Sequence, residues 1–231
     1  MLTDAHLHQC EEGPSYPDLD EVELRVSCSA TRGEWGTTLA MDRNNTVPCI
    51  GIHPWYCDQW NADTREEMTD ILENDPGIHI GEIGLDSKRA SVQDQLAAFM
   101  EQSEMAVRFD RVACIHMVGT ERTVLDEFRR SGAPRAILHS YGSEDCAKGF
   151  AELGCMMSLS PRILSRSEVR IGRLLSKIPL ENLLLETDSP HTGPGFTSLS
   201  GFYGRMAVFL SMEPEDLQEL TASNLKRILR C

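Results

Sequence analysis

The sequence of 231 residues lacks long apolar runs, and runs such as Leu183 to Leu185 are far too short to cross a bilayer. Its N-terminus lacks the basic segment followed by an apolar segment that marks a cleaved leader. It also lacks repeats, low-complexity tracts and long Pro/Gly/Ser linkers. We therefore expect a cytoplasmic protein without a membrane partner, with a single domain over residues 1–231.

Cysteine pairs with metal-site spacing are also missing. None of the eight cysteines belongs to a Cys-x-x-Cys motif, which argues against a structural zinc site or a thioredoxin-like site. Several lie in apolar stretches, where a reduced cysteine behaves as a small hydrophobic residue. We expect a structural role for the whole set, Cys10, Cys28, Cys49, Cys57, Cys114, Cys146, Cys155 and Cys231.

Basic residues are few, since 22 Lys and Arg oppose 36 Asp and Glu and give a formal net charge of -14. Stable binding to a nucleic-acid backbone depends on clustered Lys and Arg, so we expect no stable nucleic-acid complex. The charge does not exclude an enzyme that acts on nucleic acid, because bound divalent cations bring positive charge to the site. A monomer or weak oligomer is expected.

Short apolar runs alternate with longer amphipathic segments, a pattern typical of a parallel α/β sheet. The strands are predicted near residues 2–8, 24–30, 46–53, 78–82, 112–116, 135–139, 155–159 and 183–188. Helices are predicted over residues 64–74, 92–109, 121–130, 143–153 and 168–177, and a last helix begins at Pro214. Eight strands alternating with helices predict a single (β/α)₈ TIM-like barrel.

Polar residues follow a pattern in this barrel, since they fall at the ends of the predicted strands. Six strands contribute seven of them at a C-terminal end or in the following turn: His6, His8, His53, Glu82, His116, His139 and Asp188. The carboxyl ends of the strands of a parallel barrel meet at one face, which builds the active site. We therefore expect these side chains to share one mouth as metal ligands or catalytic groups.

His6 and His8 stand two residues apart on one strand, so both imidazoles point to the same side. Imidazole suits zinc and other transition metals, whereas carboxylates suit harder ions, so zinc, manganese and magnesium all stay open. The donors exceed what one four-coordinate ion needs, which favours two ions. Glu82 could bridge them, and a bridging water would act as the nucleophile.

Other polar residues have alternative interpretations. Pro54 restricts His53 to extended geometry, so His53 is predicted to hold substrate rather than metal, with a turn cap as the alternative. His79 opens its strand and is predicted as a hydrogen-bonded core residue. Asp86 and Glu186 either make hydrogen bonds behind the ligands or are simply solvated.

The chain resembles the TatD family of metal-dependent hydrolases and deoxyribonucleases, within the amidohydrolase-like barrels. The matching segments run nearly end to end in one order. They are Asp4-Ala5-His6-Leu7-His8, Gly51-Ile52-His53-Pro54, Gly81-Glu82-Ile83-Gly84-Leu85-Asp86, Ile115-His116, Leu138-His139-Ser140-Tyr141-Gly142-Ser143 and Glu186-Thr187-Asp188-Ser189-Pro190-His191.

This resemblance implies up to two divalent ions and a ligand set of His6, His8, Glu82, His116, His139 and Asp188. It further implies that Asp188 accepts the proton of the attacking water and that the substrate is DNA. Two segments depart from the family pattern. Met117 and Val118 stand where a polar residue usually follows His116, and residues 193–200 carry no Lys or Arg where a basic loop usually holds substrate.

The leading hypothesis is a phosphodiesterase or deoxyribonuclease with a dinuclear centre, with Asp188 and Glu82 as catalytic residues and DNA or a small phosphoester as substrate. One alternative is an amidohydrolase-type enzyme that cleaves C–N or ester bonds of a small molecule. Another is a metal-binding barrel without catalytic activity.

Overall fold

Eight parallel strands form one sheet in a computed structural model that describes residues 1–9, 16–89 and 91–230. Each strand pairs with its neighbour in sequence. The strands are β1 (Leu2–Leu7), β2 (Val22–Cys28), β3 (Thr46–Ile50), β4 (His79–Asp86), β5 (Val112–Val118), β6 (Arg135–Leu138), β7 (Met156–Leu159) and β8 (Leu183–Leu185).

The residues that follow β8 contact the C-terminal end of β1 and nearly close the sheet. Asp188 N donates to His6 O at 3.0 Å, and His8 N donates to Ser189 O at 2.7 Å. An α-helix lies in each connection from β2 to β8, whereas the described part of the connection from β1 to β2 holds a 3-10 helix, Leu19–Glu21. The predicted (β/α)₈ TIM-like barrel is confirmed, with all eight predicted strands present.

The helices are α1 (Trp35–Leu39), α2 (Ala62–Asn74), α3 (Val92–Arg108), α4 (Glu121–Ser131), α5 (Ala147–Glu152), α6 (Glu168–Leu175), α7 (Leu199–Leu210) and α8 (Pro214–Leu229). Six of them match predicted helices within a few residues, whereas α1 and α7 were not predicted. Residues 143–146, expected in a helix, precede α5. In the part of the chain that the structure describes, no helix is long and apolar enough to span a membrane.

Strands β4 and β5 extend further than predicted, so Glu82 and His116 lie inside strands rather than at their ends. The two strands stay paired from Gly84 opposite His116 to Asp86 opposite Val118. Gly84 makes this pairing possible, because a Cβ atom there would lie 2.0 Å from the carbonyl oxygen of His116 and its φ is +149°. The strand extension therefore carries both side chains deeper into the barrel mouth.

An apolar cluster fills the barrel below these polar residues. Its strand residues are buried and include Val26, Cys28, Cys49, Val112, Cys114, Ile137, Met156 and Leu184. Leu225, Ile228 and Leu229 of α8 pack against the same cluster, so this helix supports the barrel. His79 is buried, and its Nδ1 accepts from Val112 N at 3.1 Å, as a core histidine should. The prediction of one domain over residues 1–231 stays a prediction.

Candidate metal centre

His6 and His8 of the opening segment bring their imidazoles together at the barrel mouth. Their Nε2 atoms lie 3.2 Å apart, and both side chains are buried. His8 Nδ1 lies 3.1 Å from the carbonyl oxygen of Cys28, which holds the ring with Nε2 facing inward. The extended chain from β1 into the residue that follows it thus brings both nitrogens to one point, although His8 lies just after the strand.

Glu82 of β4 lies at the middle of the histidines. Its Oε2 is 3.1 Å from His8 Nε2 and 3.6 Å from His6 Nε2. Its Oε1 is 2.8 Å from His116 Nδ1 and 3.8 Å from His139 Nε2. One carboxylate therefore faces imidazoles from three other strands or their following turns.

Asp188 follows β8 and faces the same space. Its Oδ1 lies 3.9 Å from His8 Nε2 and 3.8 Å from His139 Nε2. The backbone of Asp188 is left-handed, with φ +56°, a conformation that non-glycine residues adopt rarely and often at functional sites. All six predicted ligands therefore converge on one site.

His53, predicted to hold substrate, also borders Glu82. Its Nε2 is 3.7 Å from Glu82 Oε1, and its Nδ1 accepts from Trp55 N at 3.1 Å. The turn cap considered as an alternative is therefore present, but the other ring nitrogen faces the centre. The structure places His53 beside the predicted ligands, where it can contact either a metal ion or a substrate.

Asp86 and Glu186 are both fully buried, so the solvated alternative is wrong for each. Asp86 Oδ2 lies 3.2 Å from His116 Nε2 and accepts from Trp55 Nε1 at 2.7 Å. Glu186 Oε1 lies 2.7 Å from His139 Nδ1 and accepts from Ser140 N. Each carboxylate orients a predicted ligand from behind, the arrangement that metal-binding histidines commonly have.

The carboxylate of Glu82 sets the charge of this site. Burial alone would raise the pKa of Glu82, but hydrogen bonds from His116 and His6 hold it well below its ordinary value. Burial lowers the pKa of His8 and of His116, yet the nearby Glu82 carboxylate outweighs burial and raises both. An ionised, buried carboxylate therefore draws positive charge into the centre.

The donor set fits divalent cations, because neutral imidazoles and ionised carboxylates offer lone pairs to one space. Burial lowers the pKa of His53 and of His139 to about 3, so both rings are neutral near pH 7. At the barrel mouth, three groups of side chains each have one donor atom per residue within 4.8 Å of the others: His6, His8 and Asp188; His6, Glu82 and His139; and His53, Glu82 and His116.

Asp4, whose role the sequence did not reveal, ties the first strand to the last. It is fully buried and accepts hydrogen bonds from Thr187 N at 2.9 Å, Thr187 Oγ1 at 2.6 Å and Tyr16 OH at 2.8 Å. Because His6 and Asp188 flank these contacts in sequence, Asp4 fixes the distance between ligands of the two strands.

The buried carboxyl group of Asp4 should give the stability of the protein an unusual pH dependence. Burial raises the pKa of Asp4 from 3.8 to about 6, although hydrogen bonds from Thr187 and Tyr16 lower it. The folded protein therefore keeps this proton where the unfolded chain has lost it, so the contribution of Asp4 to the free energy of unfolding falls between about pH 4 and pH 6. The Asp4→Asn variant lacks this titration. The difference in free energy of unfolding between the variant and wild type should therefore change by roughly 3 kcal/mol from about pH 4 to pH 6.

Chemical denaturation of chelator-treated protein at several pH values measures this difference. Asp18→Asn is the matched control, because burial of Asp18 is outweighed by the backbone N–H groups of Ser200 and Leu199, which lower its pKa. That variant should show the opposite slope. A difference between wild type and Asp4→Asn that does not change with pH contradicts the prediction.

A cleft of about 820 Å³ opens above the centre and contains basic and aromatic side chains that the sequence did not single out. Arg162 follows β7, and its Nε lies 3.3 Å from Asp188 Oδ2 while Nη2 donates to His191 O at 2.7 Å. Arg166 and the exposed ring of Trp55 line the same cleft. No sequence spacing relates Arg162 to Asp188, so only the fold reveals the pair.

Comparison with known proteins identifies the family. The model for TatD related DNase matches residues 4–230. An uncharacterized metal-dependent hydrolase TatD from Mycobacterium tuberculosis is 26% identical over 257 aligned positions, covering 98% of this chain and 97% of that protein. The human deoxyribonuclease TATDN3 is 27% identical over 221 positions, covering 84% of this chain and 79% of that protein.

A shorter sequence alignment and a structural superposition indicate the same family. The 3'-5' ssDNA/RNA exonuclease TatD of Edwardsiella piscicida is 29% identical over 150 positions, covering 62% of this chain and 58% of that protein. The crystal structure of the TatD homolog YjjV from Escherichia coli superposes with a TM-score of 0.86 at 21% identity, covering 100% of this chain and 98% of that chain. The chain therefore belongs to the TatD family of metal-dependent hydrolases, which confirms the resemblance seen in its motifs.

Proposed function

We propose that this protein is a phosphodiesterase that hydrolyses DNA at a dinuclear centre of Mg²⁺, Mn²⁺ or Zn²⁺. The observation that carries the proposal is the position of Glu82, whose two oxygens face different sets of histidines while Asp188 faces the same space. The proposal includes the cytoplasmic location and the monomeric or weakly oligomeric state predicted from the sequence.

The proposed ligands are His6, His8, Glu82, His116, His139 and Asp188. Divalent ions held there would supply Lewis acidity and lower the pKa of water. Asp188 accepts the proton of the attacking water, because its carboxylate borders both the centre and the open cleft. Glu82 keeps the centre negatively charged, and Asp86 and Glu186 hold the rings of His116 and His139 in place.

The cleft supplies groups that suit a nucleotide. Arg162 stands beside Asp188 and offers a guanidinium to a phosphate oxygen. Trp55 and Tyr56 follow His53 and expose aromatic surface on which a base can stack. The positive charge absent from residues 193–200 is thus present on Arg162 and Arg166, which come from the segment after β7.

The activities named for similar proteins favour the same substrate. The human relative is named a deoxyribonuclease, and the Edwardsiella piscicida relative is named a 3'-5' ssDNA/RNA exonuclease. We therefore propose single-stranded DNA as the first substrate to test.

The test is a substrate panel with metal-reconstituted protein. Single-stranded DNA, RNA, a small phosphodiester, and amide and lactone substrates are compared under identical conditions, with chelator-treated protein as the control. We expect phosphodiester cleavage that the chelator abolishes. Cleavage of the amide or lactone alone would favour the amidohydrolase alternative, and no cleavage by the fully metallated protein would favour a metal-binding barrel.

Arg162→Gln should weaken substrate binding without stopping the chemistry. Loss of one charge-assisted contact to phosphate is expected to raise KM for single-stranded DNA about 10-fold and to leave kcat within about 3-fold. The dependence of binding on salt should also become shallower, because one phosphate contact is lost. Steady-state kinetics at several salt concentrations measures both effects.

Arg170→Gln is the matched control, since Arg170 is exposed on α6 outside the cleft. It should keep the wild-type KM and salt dependence. An unchanged KM in Arg162→Gln, or an equal rise in both variants, would contradict the role given to Arg162.

A further inference from the structure

Three cysteines lie side by side in the barrel directly beneath His6, and we call them the thiol layer (Cys28, Cys49 and Cys114). All three are fully buried. Cys28 and Cys49 are opposite partners on β2 and β3, and Cys114 lies on β5. Their thiols form hydrogen bonds with one another.

His6 faces this layer with its second ring nitrogen. While Nε2 faces Glu82 and His8, Nδ1 is buried and has no hydrogen bond of ordinary geometry among the described residues. A metal-binding histidine normally directs that nitrogen at a carboxylate, a carbonyl or water. Here the neighbouring group is the thiol of Cys114.

The positions of these atoms resemble the ligand shell of an ion. One donor atom each from His6, Cys28 and Cys114 lies within 4.8 Å of the others. Around a zinc ion, with Zn–S of about 2.3 Å and Zn–N of about 2.0 Å, such atoms would be roughly 3.5 to 3.8 Å apart, so a small contraction suffices. Gly81 leaves the space open, because a Cβ there would lie 2.7 Å from Cys114 Cβ and 3.2 Å from Cys28 Sγ.

We propose that the thiol layer and His6 Nδ1 form a separate binding site for a thiophilic cation such as Cd²⁺, Zn²⁺ or Cu⁺. Cys28 and Cys114 are the sulfur ligands, and Cys49 lies beside them as a third sulfur. Thiolate ligands select soft ions, whereas the carboxylates above His6 favour harder ones, so the two sites differ in preference. Binding of a divalent ion forms two metal–sulfur bonds and one metal–nitrogen bond, and it releases to solvent the two thiol protons and the proton on His6 Nδ1, so that the ring is an imidazolate when its Nε2 also holds a metal.

The site is tested by titrating Cd²⁺ into anaerobic, reduced protein that has first been saturated with Mn²⁺. Cadmium thiolates give an ultraviolet charge-transfer absorption that imidazole and carboxylate ligands do not give. In wild type we expect this absorption to rise as one Cd²⁺ per chain binds strongly. Protons should be released in the same binding event. Cys28→Ala and Cys114→Ala should each weaken that event by at least about 100-fold, since each removes a ligand.

Cys155→Ala is the matched control, because Cys155 is equally buried but lies outside the thiol layer. It should bind Cd²⁺ as wild type does. Absence of the absorption in wild type, its persistence in the Cys28 and Cys114 variants, or its equal loss in Cys155→Ala would overturn the proposal.

X-ray absorption of Cd²⁺-loaded wild type provides a second measurement that does not depend on variants folding. Sulfur neighbours around the strongly bound Cd²⁺ are expected, and a shell of nitrogen and oxygen alone would overturn the site. Because the readout is metal binding, it does not depend on whether the protein hydrolyses DNA.

Discussion

Glu82→Gln is expected to abolish hydrolysis and to strip the centre of most of its metal. The substitution keeps the size of the side chain but removes the negative charge that faces His6, His8, His116 and His139. The affinity for divalent ions should fall by at least about 100-fold, because loss of even an outer-shell partner costs 10- to 100-fold. Metal content per chain after dialysis and turnover of single-stranded DNA measure the two effects.

Glu121→Gln is the control for this experiment, since Glu121 lines the same cleft at the start of α4. It should keep the wild-type metal content and at least most of the activity. If Glu82→Gln retained its metal and hydrolysed DNA within a few-fold of wild type, Glu82 would not be a ligand of the catalytic centre.

Asp188→Asn is expected to lower kcat by about 10³-fold while KM for DNA changes little. An amide cannot accept the proton of the attacking water near neutral pH, and removal of a general base typically costs 10² to 10⁴-fold. Metal binding should be weakened less than in Glu82→Gln, because Asp188 contacts only the edge of the centre near His8 and His139. Steady-state kinetics over a range of pH, combined with metal analysis, separates the two roles.

Asp145→Asn, at an exposed position outside the cleft, serves as the control and should behave as wild type. An Asp188→Asn variant with full kcat would remove Asp188 from the mechanism. A variant with reduced kcat only because its metal is lost, and with full kcat at saturating metal, would leave Asp188 as a ligand but not as the base.

The barrel could be predicted from the sequence because its strands are short apolar runs separated by clear helical segments. The strand ends were less accurate. Glu82 and His116 interrupt apolar runs, so β4 and β5 were predicted to stop there, whereas pairing across Gly84 carries both strands further. A polar side chain inside a strand is stable here because neighbouring polar groups contact it.

Helix α7 was not predicted for a different reason. Glycines at 193, 195, 201 and 204 suggest loop structure, and the segment is apolar without a polar face of ordinary width. The structure stabilises it through tertiary contacts, with Leu199, Phe202, Tyr203 and Met206 buried. Ser198 also accepts from Gly201 N and caps its first turn.

The convergence of the predicted ligands could be predicted from the sequence because each lies on or next to a strand, where the barrel brings such positions together. The residues that support these ligands could not be predicted from the sequence. Asp4, Arg162 and the thiol layer act through contacts between strands or loops far apart in sequence, and no spacing relates them. The expectation that all cysteines are structural rested on the absence of paired motifs, whereas the thiol layer assembles from three separate strands. Cys10 and Cys231 lie outside the described residues.

The most direct test of the proposed two-metal centre is anomalous diffraction from crystals of the Mn²⁺-reconstituted protein. We expect two anomalous peaks at the barrel mouth, both within ligand distance of Glu82 and shared among His6, His8, His116, His139 and Asp188. Peaks elsewhere on the protein, or no peak beside Glu82 at saturating Mn²⁺, would contradict this expectation.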